Sequence, residues 1–247
     1  MKLKLLAGTI FLITVLNAAS SYAGSGKAVF VLFDVSGSTQ SSRKEYLDGF
    51  IKILDIRAPG EESVSALGLK DTIAADIITG NSLSTSELPI EHQFKYSFWS
   101  GQNAMFAGSK AVVEKKELAR EAKDLLSDKT ARGSDIMNSM RLAERVFSRY
   151  KKDKPVLVIF SDMIEQAGGY DFENDNLTEK RITAIIRQEQ AKGLPDLRGV
   201  TVYVTGANAK SSTQFLKIRN FWIRYFKACG AVLDKANYGR AFMEISE

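Results

Sequence analysis

Ala28-Val29-Phe30-Val31-Leu32-Phe33 runs without interruption into Asp34-Val35-Ser36-Gly37-Ser38. A continuous apolar run rich in β-branched and aromatic residues, closed by turn-forming polar residues, fits a strand buried on both faces. Two more runs have the same character, Val156 to Phe160 and Val200 to Val204. Between and after them apolar residues recur at helical spacing: Leu47, Phe50, Ile51 and Leu54; Leu118, Ala122 and Leu125; Ile136, Met140, Ala143 and Phe147; Ile182, Ile185 and Ile186; Ile218, Trp222, Tyr225 and Phe226. Each set makes one apolar stripe on an amphipathic helix. Buried strands alternating with such helices imply right-handed crossovers, so the sequence predicts an α/β fold, a doubly wound, mostly parallel sheet with helices on both faces. Ser63 to Leu69, Phe94 to Trp99 and Arg240 to Ile245 are candidates for further strands. Gly80 to Gly108 lacks a clear helical pattern and reads as loops around an edge strand.

Upstream, Lys2 and Lys4 precede an apolar stretch from Leu5 to Leu16, and Ser21-Tyr22-Ala23 places small residues at both cleavage-determining positions. This is the order of an export signal over residues 1–23, cut after Ala23. Its 12-residue apolar stretch falls short of the roughly 20 residues a bilayer-spanning helix needs. No cysteine stands at the cut to accept a lipid. Residues 24–247 contain no linker-like tract or internal repeat and read as one domain, expected to be soluble and periplasmic or secreted.

The chain has 247 residues, 45% apolar and 26% charged, which suffices for one sizeable core and excludes disorder. A single cysteine, Cys229, rules out an internal disulfide and a Cys-based zinc cluster, and a single histidine, His92, rules out a two-histidine metal site. The formal charge of +5 includes Lys2 and Lys4 of the export signal, and the basic residues are scattered. Such scatter does not make a nucleic-acid surface.

The chemistry gathers at the ends of the apolar runs. In open parallel sheets ligands bind where a strand's carboxyl end hands over to a helix. Asp34, Ser36 and Ser38 alternate along a tight loop at such a place, with Gly37 easing the turn. Phe160-Ser161-Asp162 repeats the placement at the end of the second run, and Arg132-Gly133-Ser134-Asp135 opens the helix of Ile136 and Met140, bringing the Ser134 hydroxyl to the same edge. Thr130 is a less favoured substitute for Ser134. Two carboxylates and several hydroxyls suit the all-oxygen shell of Mg2+, with Mn2+ also feasible.

At these residues the sequence resembles the von Willebrand factor type A domain, whose metal-ion-dependent adhesion site joins an Asp-x-Ser-x-Ser loop to a distant Thr and a distant Asp. Asp34, Ser36 and Ser38 match the loop, Asp162 the later Asp, and Ser134 the Thr position, since Gly133-Ser134-Asp135-Ile136 looks like the family's Gly-Thr-Asp helix entry. The resemblance spans roughly residues 27–206 in strand and helix order and, taken as one domain, implies all of 24–247. It departs at Ser134, which keeps the hydroxyl but lacks the methyl, and at Met163, where many members have Gly. It implies a non-enzymatic module that uses a divalent ion to capture an Asp or Glu carboxylate of a partner protein. Two other readings stand beside it. An aspartate at a strand's end beside Mg2+ also opens haloacid-dehalogenase-type phosphatases, but these need a second aspartate two residues on as general acid, where this chain has Ser36. The third is a structural assembly component with a vestigial metal site.

Remaining candidates have plainer readings. Asp171, Glu173 and Asp175 resemble the opening of a calcium loop, but Asn176 stands at the required glycine and Ile182 at the final glutamate, leaving a solvated acidic loop beside the metal edge. Phe221, Trp222, Tyr225 and Phe226 have the spacing of core residues on a helix rather than of a base-stacking platform. Cys229 continues that stripe, and His92 has no evident catalytic partner. Arg149, Lys151, Lys152 and Lys154 gather where a helix ends and favour its dipole.

Overall fold

The computed structural model describes residues 26–56, 67–68, 70–83, 88–94, 104–127 and 130–241. In chain order these form β1 (Lys27–Asp34), a 3-10 turn (Gly37–Ser42), α1 (Arg43–Leu54), β2 (Thr72–Ile78), β3 (Ile90–Gln93), α2 (Ala104–Ser127), α3 (Ile136–Arg149), β4 (Lys154–Phe160), α4 (Glu179–Lys192), β5 (Thr201–Thr205), α5 (Ser212–Ala228) and β6 (Val232–Tyr238). The strands make one sheet in the order β3-β2-β1-β4-β5-β6. Only β3 is antiparallel to its neighbour; the other pairings are parallel. The expected doubly wound α/β architecture is the observed one.

Alternation along β1 divides the core. Val29, Val31 and Phe33 face a cluster with Tyr46 and Phe50 of α1 and Leu118 and Ala122 of α2. Phe30 and Leu32 face the larger cluster, with residues of α3, α4 and α5 that include Ile136, Ile185 and Trp222. Side chains of period two on a strand thus serve two helical layers. Local signals start the later helices: Asp135, Thr178 and Ser211 cap α3, α4 and α5, each accepting from a first-turn amide.

The three apolar runs became β1, β4 and β5, and the five stripes became α1 to α5. The edge strand expected within Gly80 to Gly108 is β3, although α2 already begins at Ala104, inside that stretch; the other strand candidates differ from expectation. The strand beside β1 is Thr72–Ile78, not Ser63 to Leu69; Leu67 and Gly68 are not in a strand, and the rest of that range lies outside the described residues. Phe94 follows β3 as a buried residue, and residues 95–99 lie outside the described set. Arg240 falls after β6 has ended at Tyr238, and residues 242–245 are likewise outside. Residues 1–25, which hold the proposed export signal, are also outside.

The consequence for the site is topological. From β1 the chain proceeds to β2 on one side, and from β4 to β5 on the other, so winding reverses between these two adjacent strands. Their departing loops lead to α1 and α4 on opposite faces, leaving a crevice beyond Asp34 and Phe160.

Candidate metal site

Five side chains line this crevice, in two linked groups. Asp34 forms the floor and is wholly buried. Its Oδ1 accepts the Ser36 amide at 2.9 Å, and Ser134 Oγ lies 3.1 and 3.0 Å from Oδ1 and Oδ2. Nearer the mouth, Ser36 Oγ and Ser38 Oγ are 3.1 Å apart, and Ser38 Oγ donates to Asp162 Oδ2 at 2.6 Å. The other Asp162 oxygen accepts the Ile164 amide at 3.0 Å. Asp34, Ser36, Ser38, Ser134 and Asp162 are therefore contiguous, although residues 36 to 38, 134 and 162 arrive from three loops. Thr130 does not join them: its hydroxyl accepts from Arg43 Nη2 at 3.3 Å.

Each loop is fixed locally. Thr39 Oγ1 donates to the carbonyls of Asp34 (2.7 Å) and Ser36 (3.0 Å), closing the turn after β1. The Val35 carbonyl accepts from the Ala131 amide and from Arg43 Nη2, both at 2.9 Å, which moors the segment ahead of α3. The Asp135 amide donates to the Thr79 carbonyl at 2.8 Å, so α3 starts against the end of β2. Gly133 has φ +78°, and a Cβ there would lie 2.7 Å from the Gln166 carbonyl oxygen. Only glycine lets the entry of α3 approach the loop after β4 this closely.

Met163 occupies that second loop with φ +65°, the left-handed conformation for which glycine is the usual residue. Its side chain is fully buried in the larger core, and its carbonyl accepts from Trp222 Nε1 at 2.9 Å. The departure from glycine thus leaves the turn intact, at the cost of backbone strain held by packing.

Two further side chains, Ser161 and Glu165, tie the loops of the crevice together. Ser161 Oγ donates to Asp34 Oδ2 at 2.7 Å and accepts the Met163 amide at 2.9 Å, linking floor to loop. Its position between a strand end and Asp162 was a usable signal. Glu165, also buried, accepts the amides of Ile136 and Met137. Nothing in its immediate sequence marks that role.

Electrostatically the crevice is short of positive charge. Among the described residues, no ion pair involves Asp34 or Asp162. Burial raises the Asp34 carboxyl above its ordinary range, against the opposing hydrogen bonds of Ser161, Ser36 and Ser134. Burial, then the charge of Asp34, pushes Asp162 up to about 6. The Tyr46 hydroxyl is also raised, first by burial and then by the charges of Asp34 and Asp162. Glu165 stands well above the usual carboxyl range because burial outweighs its two backbone donors.

A bound cation would relieve this excess. No three His, Cys, Asp or Glu side chains gather at one point among the described residues. The donor set that does gather, two carboxylates and three hydroxyls, is all oxygen and fits a hard divalent ion such as Mg2+ or Mn2+.

The acidic loop beside the crevice is otherwise engaged. Asp171 accepts from the Glu173 and Asn174 amides, Glu173 pairs with Lys210 at 3.0 Å, and Asp175 pairs with Arg181 at 2.7 Å. Glu173 is near enough for its charge to add to the rise at Asp162. Phe221, Trp222, Tyr225 and Phe226 are core residues, and burial pushes the Cys229 thiol up to about 12. On edge strand β3, His92 Nε2 lies 3.3 Å from a carboxylate oxygen of Glu114 on α2, and Arg149 pairs with Glu91.

No family model matches the sequence, and no curated protein matches it. Solved structures do match. The pilus adhesin SpaC from Lactobacillus rhamnosus GG, in an open conformation, is 12% identical over 88% of this chain and 28% of its own, with a TM-score of 0.48. A von Willebrand factor type A structure from Catenulispora acidiphila is 13% identical over 81% of this chain and 37% of its own, at 0.45. The conserved hypothetical protein BatB from Bacteroides thetaiotaomicron is 11% identical over 87% of this chain and 91% of its own, at 0.47. This chain thus spans well under two thirds of the first two. Likeness this distant says nothing of function, which has to come from the crevice itself.

Proposed function

We propose that this chain is a von Willebrand factor type A module carrying a metal-ion-dependent adhesion site, and that it binds an acidic group of a partner protein through a divalent cation. The observation that carries this reading is the pair of buried carboxylates, Asp34 and Asp162, with no cationic partner among the described residues and three hydroxyls around them. Ser36, Ser38 and Ser134 are neutral donors, so they ligate an ion without cancelling its charge. With one of the two aspartates reaching the ion only through water, the ion keeps net positive charge in its direct shell and stays electrophilic toward a further carboxylate. Asp34 anchors the floor, while Ser38, exposed at the mouth, marks the side from which a partner approaches.

The module is non-enzymatic on this reading. Ser36 stands two residues after Asp34, where a phosphatase would need a general acid, and its hydroxyl is engaged with Ser38. Export by residues 1–23 places the module in the periplasm or outside the cell; no described helix is long and apolar enough to cross a membrane.

The test is capture of an envelope partner with Mg2+ or with chelator, combined with replacement of the partner's critical Asp or Glu by its amide. Each change alone should abolish most of the binding. Together they should add little, because both remove the same metal-oxygen bond. A partner held equally well in chelator would overturn the reading and favour a structural role.

A further inference from the structure

Glu165 is 1% exposed and lies outside the five-residue donor set, yet it joins two of the three loops that make that set. Its Oε2 accepts the amides of Ile136 and Met137, each at 3.0 Å, at the first two residues of α3. The next residue, Gln166, donates its amide to the Ser134 carbonyl at 2.9 Å. Three hydrogen bonds therefore tie the loop carrying Asp162 to the helix entry carrying Ser134.

First-turn amides of a helix have no acceptor within the helix. Asp135 supplies the ordinary cap, but of the backbone amides its carboxylate accepts only that of Asn138, at 3.3 Å, its other oxygen accepting from Asn138 Nδ2 at 3.0 Å. The amides of Ile136 and Met137 depend on an acceptor from outside, and that acceptor comes from the loop after β4. Gly133 permits the close approach this needs, since any side chain there would collide with the Gln166 carbonyl.

We propose that Glu165 is a positioning residue that sets the Ser134 hydroxyl on Asp34. Resting on the metal reading above, it also fixes the separation of Ser134 and Asp162 about the ion without touching the ion. Asp34, Ser134 and Asp162 are then one unit rather than three independent ligands, and Glu165 is the buried brace between the helix entry and the loop after β4.

The test compares Glu165→Ala and Glu165→Gln in the full chain, each alone and combined with Ser134→Ala. Two quantities are read: hydrogen exchange at the Ile136 and Met137 amides by NMR, and Mg2+ affinity by calorimetry. Glu165→Ala should speed exchange at both amides and weaken Mg2+ by about tenfold or more. Glu165→Gln keeps an oxygen able to accept both bonds and should stay within about threefold of the unsubstituted protein. With Ser134 already Ala, Glu165→Ala should cost less than about twofold further, because its effect runs through Ser134. An undiminished further loss would reveal a general structural role and overturn the proposal. Should Glu165→Ala not fold, Glu165→Asp, which withdraws the acceptor by one methylene, takes its place with the same expectations. If the unsubstituted protein binds no Mg2+, the metal reading falls, and exchange decides for Glu165 alone. Unchanged exchange and unchanged Ser134 chemical shifts would then overturn the brace.

Discussion

Asp34 and Asp162 close neighbouring strands whose last apolar residues, Phe33 and Phe160, are register partners, yet the two carboxylates are held in opposite ways. Asp34 is 0% exposed and collects three donor groups, the Ser36 amide and the Ser134 and Ser161 hydroxyls. Asp162 is 7% exposed and has two, the Ile164 amide and the hydroxyl of exposed Ser38. One carboxylate organises the crevice and the other faces its mouth. Burial raises both, and their mutual repulsion adds to the rise at Asp162. A divalent cation bound at this crevice, as proposed, would counter both effects.

The largest expected effect separates the two roles. Asp34→Ala leaves buried donors from three segments without an acceptor and should cost about 3–4 kcal/mol in denaturant unfolding, even after relief of its buried charge. Asp162→Ala frees one amide and one hydroxyl near solvent and should cost about 1 kcal/mol. Equal losses would erase the distinction between organiser and mouth.

The next effect is a pH slope in protein stripped of divalent ions. Asp162 sits at about 6 in the folded chain, against about 3.9 when unfolded. Between those values the native state keeps a proton that the unfolded state has released. Stability should therefore fall as pH rises from about 4 to 6, by up to about 3 kcal/mol from this group. Asp162→Asn should reduce the slope by this share, leaving that of the other raised carboxyls, Asp34 and Glu165, and excess Mg2+ should restore stability above pH 6. An identical slope in Asp162→Asn would assign the titration elsewhere.

The smallest effect concerns the loop that carries Asp162. Met163→Gly removes left-handed strain worth about 1 kcal/mol but also a fully buried side chain. A net loss of about 1–2 kcal/mol is expected in thermal unfolding. A net gain would mean that strain outweighs packing at this turn.

How much of this was legible depends on where each residue's partners lie. β1, β4 and β5 are buried on both faces, so their sequences are continuous apolar runs. β2 is buried throughout as well, but Ala74, Ala75 and Asp76 interrupt its run, and the burial of Asp76 depends on tertiary context. β6 is hidden for another reason: it is an edge strand with Val232 61% exposed and Asp234, Lys235 and Ala236 exposed beside it. Such a strand carries neither a continuous nor a clean alternating pattern. At the site, Asp34, Ser36 and Ser38 are close in sequence, and Ser134 and Asp162 stand at element boundaries, where position alone is informative. Ser161 and Glu165 act on partners 127 and 29 residues away, and only the packed sheet edge brings them there.

Titration of Mg2+ into chelator-stripped protein at neutral pH, with Asp34→Ala run in parallel and circular dichroism on both, tests the two-carboxylate site most directly. The unsubstituted protein should bind one ion per chain, and folded Asp34→Ala should bind none. Absence of binding by the unsubstituted protein, or equal binding by folded Asp34→Ala, would contradict a metal centre at this crevice.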